Sequence, residues 1–166
     1  DAFIATIESA LSVARASGLT HAVLTTGRRS ERFAQRLWPQ ILPEAFIQIG
    51  DFFKMSLEAA SSKGFSRITL AVFFGKAVKM AQGIPHTHAA KAAMSLNKLA
   101  QWAFDLTADQ QLAKSILTAN TARHAFDILQ ASGPEVVCHV GQRIVDAARV
   151  FTGNRVEIQS VIFNYT

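Results

Sequence analysis

With 166 residues, 49% of them hydrophobic, the chain is long enough for one domain with a real core and too apolar to be disordered. No apolar run approaches the ~20 residues a membrane span requires, and the single cysteine, Cys138, excludes an internal disulfide and fits a reducing compartment, read here as the cytoplasm. A net charge of +5 and a pI of about 9.8 point to anionic partners.

Residues 2–17 have the apolar spacing of an amphipathic helix, with Phe3, Ile7, Ala10, Leu11 and Ala14 on one side and Gly18 as its stop. The chain opens on Asp1-Ala2-Phe3-Ile4, without an initiator Met or a basic signal-peptide flank, and is read as a piece of something longer. His21–Thr25 is a short strand, followed by the turn Thr26-Gly27-Arg28-Arg29-Ser30. Ser30 is the expected N-cap of a helix whose buried side carries Phe33, Leu37 and Trp38. A second strand, 45–49, leads through Gly50-Asp51 into a helix with Phe53, Leu57 and Ala60 on one face, closed by Gly64. The run Ile68–Phe74 is too short for a free-standing helix and rich in β-branched and aromatic residues. It reads as a fully buried strand that turns at Gly75-Lys76.

Strands ending near 25, 49 and 74, each followed by one helix, predict parallel pairing with right-handed crossovers. Beyond Gly83 the pattern is helical. One helix carries Ala92, Leu96, Leu99 and Ala103; a capping box at Thr107–Gln110 precedes Leu112 and Ile116. A third helix carries Ala122, Phe126 and Leu129. The fourth starts at Pro134 and turns Val140, Ile144, Ala147 and Phe151 inward. Val156–Phe163 closes the chain as a strand at the sheet edge. The expected fold is therefore a single three-layer, Rossmann-like α/β domain spanning 1–166, with a mainly parallel sheet and a helical C-terminal half.

Ligands of such sheets sit at the carboxyl ends of the strands, which fixes where chemistry is sought. Thr26-Gly27-Arg28 has the form of an anion-binding turn, with free amides, the start of a helix and an arginine. Gly50-Asp51 places a carboxylate where it could accept bonds from ribose hydroxyls, or simply cap a helix. Gly75, Lys76 and Lys79 are candidates to hold carboxylates or phosphates. His86-Thr87-His88 draws attention to a metal, but two histidines two apart do not share a helical face, and no Cys or carboxylate cluster completes the set. No metal is assigned; Thr87 is read as a helix cap and His88 as a polar group in a cleft. Cys138 lies among valines and reads as a buried, inert thiol.

No helix-turn-helix, zinc-finger spacing or aromatic-basic RNA motif accompanies the dispersed basic residues. A small, heavily carboxylated or phosphorylated ligand fits that charge as well as nucleic acid does.

Taken together, Val23-Leu24-Thr25-Thr26-Gly27-Arg28, Glu44–Phe52, Gly75-Lys76 with Lys79, and Thr87-His88 closely resemble blocks of the CbiD family. That family comprises the cobalt-precorrin-5B C-1 methyltransferases of cobalamin biosynthesis. The resemblance implies transfer of a methyl group from S-adenosylmethionine to carbon 1 of a polycarboxylated tetrapyrrole, with no role for nucleic acid or membrane. It assigns Thr26, Gly27, Gly50 and Asp51 to the methyl donor, and Arg28, Gly75, Lys76, Lys79 and Thr87 to the macrocycle. His88 becomes the catalytic candidate. It also implies a further N-terminal domain of the same protein as partner, so that this chain is the C-terminal part of a two-domain enzyme. The alternative is a non-catalytic anion- or nucleotide-binding α/β domain; the incomplete glycine pattern argues poorly for its nucleotide-binding form alone.

Overall fold

The structure, a computed structural model, describes residues 1–166. It contains α1 (Ala2–Ala16), β1 (His21–Thr25), α2 (Arg28–Leu37), β2 (Phe46–Gln48), α3 (Phe53–Ser62), β3 (Arg67–Phe73), α4 (Phe74–Ala81), α5 (Ala92–Thr107), α6 (Gln110–Leu117), α7 (Ala122–Ser132), α8 (Pro134–Thr152) and β4 (Glu157–Phe163). Short 3-10 turns occupy Pro43–Ala45 and Thr87–Ala89.

The four strands form one parallel sheet in the order β2-β1-β3-β4, with Leu24 level with both Ile47 and Leu70, and Leu70 level with Ser160. The expected parallel adjacency and the edge position of the last strand are both present. Alternation along the strands divides the core. Ala22, Leu24, Ile47, Ile68, Leu70, Val72 and Ile158 face the large cluster shared with α1, α3, α4 and α8. Val23, Phe46, Ala71 and Phe163 face the opposite way, under Ala34 of α2. The third layer is thus one helix, and most of the apolar burial lies on the other face.

This asymmetry follows from the connections. Right-handed crossovers place α2 on one face as the chain moves from β1 out to β2. They place α3, and then α4 to α8, on the other face as it moves back across to β3 and on to β4. Neighbouring β1 and β3 therefore send their chains away in opposite directions, which makes the crevice between their carboxyl ends the switch point of the sheet.

Several local expectations are corrected. β3 passes into α4 with no intervening turn: Phe74 is the first helical residue, and Gly75 and Lys76 lie in the first turn of α4. Phe74 is fully buried, its ring 5.1 Å from Phe126; a buried residue contributes the same apolar letter to a strand or a helix. Helix α2 begins at Arg28, so Ser30 is its third residue rather than its cap. Leu37 is 52% exposed, and the buried residues of α2 are Ser30 and Ala34.

Asp109, not Thr107, caps α6 by accepting from the Leu112 amide at 3.0 Å, after Ala108 ends α5 in the left-handed region. Cys138 is exposed. Val136, Val140 and Ile144 recur every fourth residue on the inward side of α8, which turns position 138 outward.

Candidate functional site at the strand ends

Parallel pairing brings the segments after β1, β2 and β3 to one edge of the sheet, and the Ile49 amide ties two of them together by donating to the Thr25 carbonyl at 2.7 Å. Asp51 is the hub of this edge. Its Oδ1 accepts from Lys76 Nζ at the start of α4 and from Thr87 Oγ1 at 2.7 Å. Its backbone carbonyl accepts from the Thr87 amide at 3.0 Å, and the Lys54 amide donates to the Pro85 carbonyl at 3.0 Å. The segment after α4 is thereby clasped to the end of β2.

Thr87 is fully buried and is not a helix cap; α5 starts only at Ala92. Partial burial pushes the Asp51 carboxyl up, but the hydrogen bonds from Lys76 and Thr87, with the charge of Lys76 and a contribution from His86, hold it below its ordinary value of 3.8. The group is a carboxylate at neutral pH. Both side-chain bonds land on Oδ1, so Oδ2 remains free to accept from a ligand.

Gly50 is required here for two reasons. Its φ of +56° lies in the left-handed region, and a Cβ would stand 3.0 Å from the tip of the Phe3 ring. Phe3 packs on Phe52, centroids 5.6 Å apart, and Phe52 meets His86 edge-on at 4.9 Å. His86 is thus part of the packing beneath the site. His88 is exposed, its ring centroid 6.2 Å from that of His86.

On the β1 side, Ser30 Oγ accepts from the amides of Thr26 and Gly27, at 3.1 Å each, and so holds the turn from inside the helix. Thr26 and Gly27 are half-buried and Arg28 is exposed. The structure separates the two expected lysines. Lys76 goes to Asp51, while Lys79, half-buried, lines a cleft of about 70 Å³ with Gly75, Ser95, Asn120 and Thr121. The largest depression, about 700 Å³, is a shallow groove between α8 and β4, lined by Cys138, Gly141, Arg149 and Gln159 and away from the Asp51 hub. No three His, Cys, Asp or Glu side chains gather as a metal site.

Two residues escape the sequence reading, Tyr165 and Arg123. The Tyr165 ring stacks on Phe73 at 5.3 Å, meets Phe126 edge-on at 5.6 Å and lies 4.9 Å from the Arg123 guanidinium. Its phenol oxygen accepts from the Gly75 amide at 3.3 Å, and its carbonyl accepts from Arg29 Nη2 at 2.9 Å. A signal for Tyr165 existed: residues after a parallel edge strand must emerge at the same edge as the other strand ends.

The fold and the strand-end hub define an open parallel α/β unit with a polar crevice at its switch point. Residues 86–166 match the family model described as the CbiD C-terminal domain. A cobalt-precorrin-5B C(1)-methyltransferase of Nitratidesulfovibrio vulgaris is 40% identical over 169 residues, covering 99% of this chain and 43% of that protein. Proteins of the same name from Priestia megaterium and Desulfotalea psychrophila are 39% and 37% identical, covering 80% and 87% of this chain and 36% and 41% of their own lengths. No solved structure matches the chain. The chain belongs to the CbiD family, and it spans about two-fifths of the length of these curated relatives.

Proposed function

We propose that this chain is the C-terminal part of an enzyme that methylates carbon 1 of cobalt-precorrin-5B at the expense of S-adenosylmethionine. The observation that carries the reading is the 40% identity to a cobalt-precorrin-5B C(1)-methyltransferase across 99% of the chain. The free Oδ2 of Asp51 suits a ligand hydroxyl, and the bare backbone at Gly27, with nothing within 4 Å of a Cβ there, leaves room for close approach, so the residues present fit the methyl donor. S-adenosylmethionine supplies an electrophilic methyl group on sulfur.

The part left to the protein is alignment and exclusion of water. Thr26, Gly27, Gly50 and Asp51 hold the donor. Arg28, Lys76 and Lys79 meet carboxylates of the macrocycle, around the N-terminal turn of α4 that contains Gly75. Thr87 keeps Asp51 in place, and His88, exposed beside it, exchanges a proton with the macrocycle. A separate N-terminal domain of the same protein supplies the facing wall. The cytoplasm is the proposed compartment, because the exposed Cys138 thiol suits reducing surroundings, and no helix is long and apolar enough to cross a membrane.

Calorimetric titration tests the reading, with S-adenosylhomocysteine, a cobalt-precorrin and NAD in separate experiments. Binding of the first two, weakened by Asp51→Asn and Lys76→Ala, is expected. Binding of NAD alone would replace the methyltransferase reading with a dinucleotide-binding one.

A further inference from the structure

The groups best suited to receive an anion at the switch point are already engaged, and by the chain itself. After β4 the backbone crosses the sheet edge, so that Tyr165 lies between the start of α2 and the start of α4. The forked Arg29 side chain gives a hydrogen bond to the Tyr165 carbonyl, and the Gly75 amide, in the first turn of α4, gives one to the phenol oxygen. Both acceptors are neutral oxygens. A carboxylate or phosphate oxygen outcompetes them, because it pairs with the full charge of Arg29 and replaces the neutral bond at the Gly75 amide with a charge-assisted one, about twice as strong.

The ring fills a slot with Phe73 beneath it, Phe126 at its edge and the Arg123 guanidinium on it. Arg29 also stacks on Phe73, its guanidinium carbon 4.7 Å from the ring centroid. Such a slot takes any flat conjugated group.

We propose that Tyr165 is an internal plug of the strand-end crevice, and that a ligand presenting an oxyanion beside a flat conjugated ring takes its place. The proposed function, on which the identity of the ligand rests, offers two sources of that chemistry: the methyl donor, with its carboxylate and adenine, and the polycarboxylated macrocycle. A closed plug lowers apparent affinity by the fraction of time the crevice is open. A plug shut nine-tenths of the time therefore weakens binding about tenfold.

The chain has one tyrosine, so 3-fluorotyrosine places a single fluorine resonance on the plug. Titration with S-adenosylhomocysteine or with uroporphyrin is expected to move that resonance to the position of a solvent-exposed ring, with the midpoint found by calorimetry. The probe that moves it identifies the source. Tyr165→Ala is expected to bind that probe about tenfold more tightly. Tyr165→Phe, which keeps the ring and frees the Gly75 amide, is expected to bind it a few-fold more tightly and to speed hydrogen exchange at Gly75 without lowering Tm.

A probe that binds without moving the resonance, or that binds Tyr165→Ala no more tightly, overturns the plug and leaves the proposed function standing. Unchanged Gly75 exchange in Tyr165→Phe overturns it as well. Failure of both probes to bind either the wild type or Tyr165→Ala overturns the plug together with the reading beneath it.

Discussion

Asp51 concentrates the local energetics of the site because one oxygen serves a charged donor and a buried one. Replacing it with Ala leaves the Thr87 hydroxyl, fully buried, without an acceptor. An orphaned buried hydroxyl costs about 1–3 kcal/mol. The Lys76 side chain, 33% exposed, rehydrates and adds little. Urea denaturation of Asp51→Ala should show that loss as a lower midpoint at unchanged slope.

The pH dependence follows from the sign of the shift. With the folded carboxyl below 3.8, the unfolded state binds protons first as acid is added. The stabilisation is therefore complete above that value and disappears as pH falls through the folded one. The stability gap between wild type and Asp51→Asn should narrow only in that acid range.

His21, at the opposite edge, behaves differently. Burial and then the charge of Arg67 lower its pKa from 6.5, Glu157 opposes them, and Nε2 is 2.8 Å from Thr69 Oγ1. Below 6.5 the unfolded state takes up a proton that the folded state resists, so stability falls as pH drops from there to the folded value and then levels. His21→Gln should flatten this limb in thermal melts across the same range; an unchanged profile would mean that His21 does not set it.

Among the connecting elements, the glycines of the strand-end loops make opposite demands. Gly50 sits at φ +56° against the Phe3 ring, so Gly50→Ala should cost about 1–2 kcal/mol for the left-handed conformation. Gly27 is extended, with φ −174°, and nothing lies within 4 Å of a Cβ there. Gly27→Ala should leave stability within about 0.5 kcal/mol of wild type. Equal losses in denaturant midpoint would contradict the assigned loop geometry.

The same elements show how far the fold is legible in the sequence. The alternation of short apolar strands with single helices points to the parallel sheet, and each strand end marks a segment that reaches the common edge. Boundaries are less readable, since Phe74 and Leu37 are apolar for different reasons, one as a buried first residue of α4 and the other as an exposed residue of α2. The bond between Thr87 and Asp51 spans 36 residues and depends on how the segment after α4 returns, which no local pattern encodes. Tyr165 reaches Gly75 across 90 residues for the same reason.

At the scale of the molecule, a net charge of +5 acts on an anionic ligand before contact. Arg28 and Arg29 are exposed, so their attraction is screened within ~8 Å at physiological salt. The affinity for a polycarboxylated tetrapyrrole should fall as salt is raised, and fall less steeply for Arg28→Ala; indifference to both would make Arg28 part of a solvated surface. The sheet carries its main core on one face and its polar crevice at the ends of β1 and β3, so the site draws on long-range topology more than on any single motif.

The central claim is that the edge built on Asp51, Lys76 and Thr87 forms one wall of a methyl-transfer site. The direct measurement is transfer of labelled methyl from S-adenosylmethionine to cobalt-precorrin-5B by the full-length protein, comparing wild type with Asp51→Asn and Lys76→Ala after confirming that each is folded. Cys138→Ser, on the outward side of α8, serves as the control. We expect kcat/KM to fall by ~100-fold in each site variant, the scale set by misplacement of reacting groups, and to stay unchanged in the control. Site variants that turn over at the wild-type rate would contradict the claim.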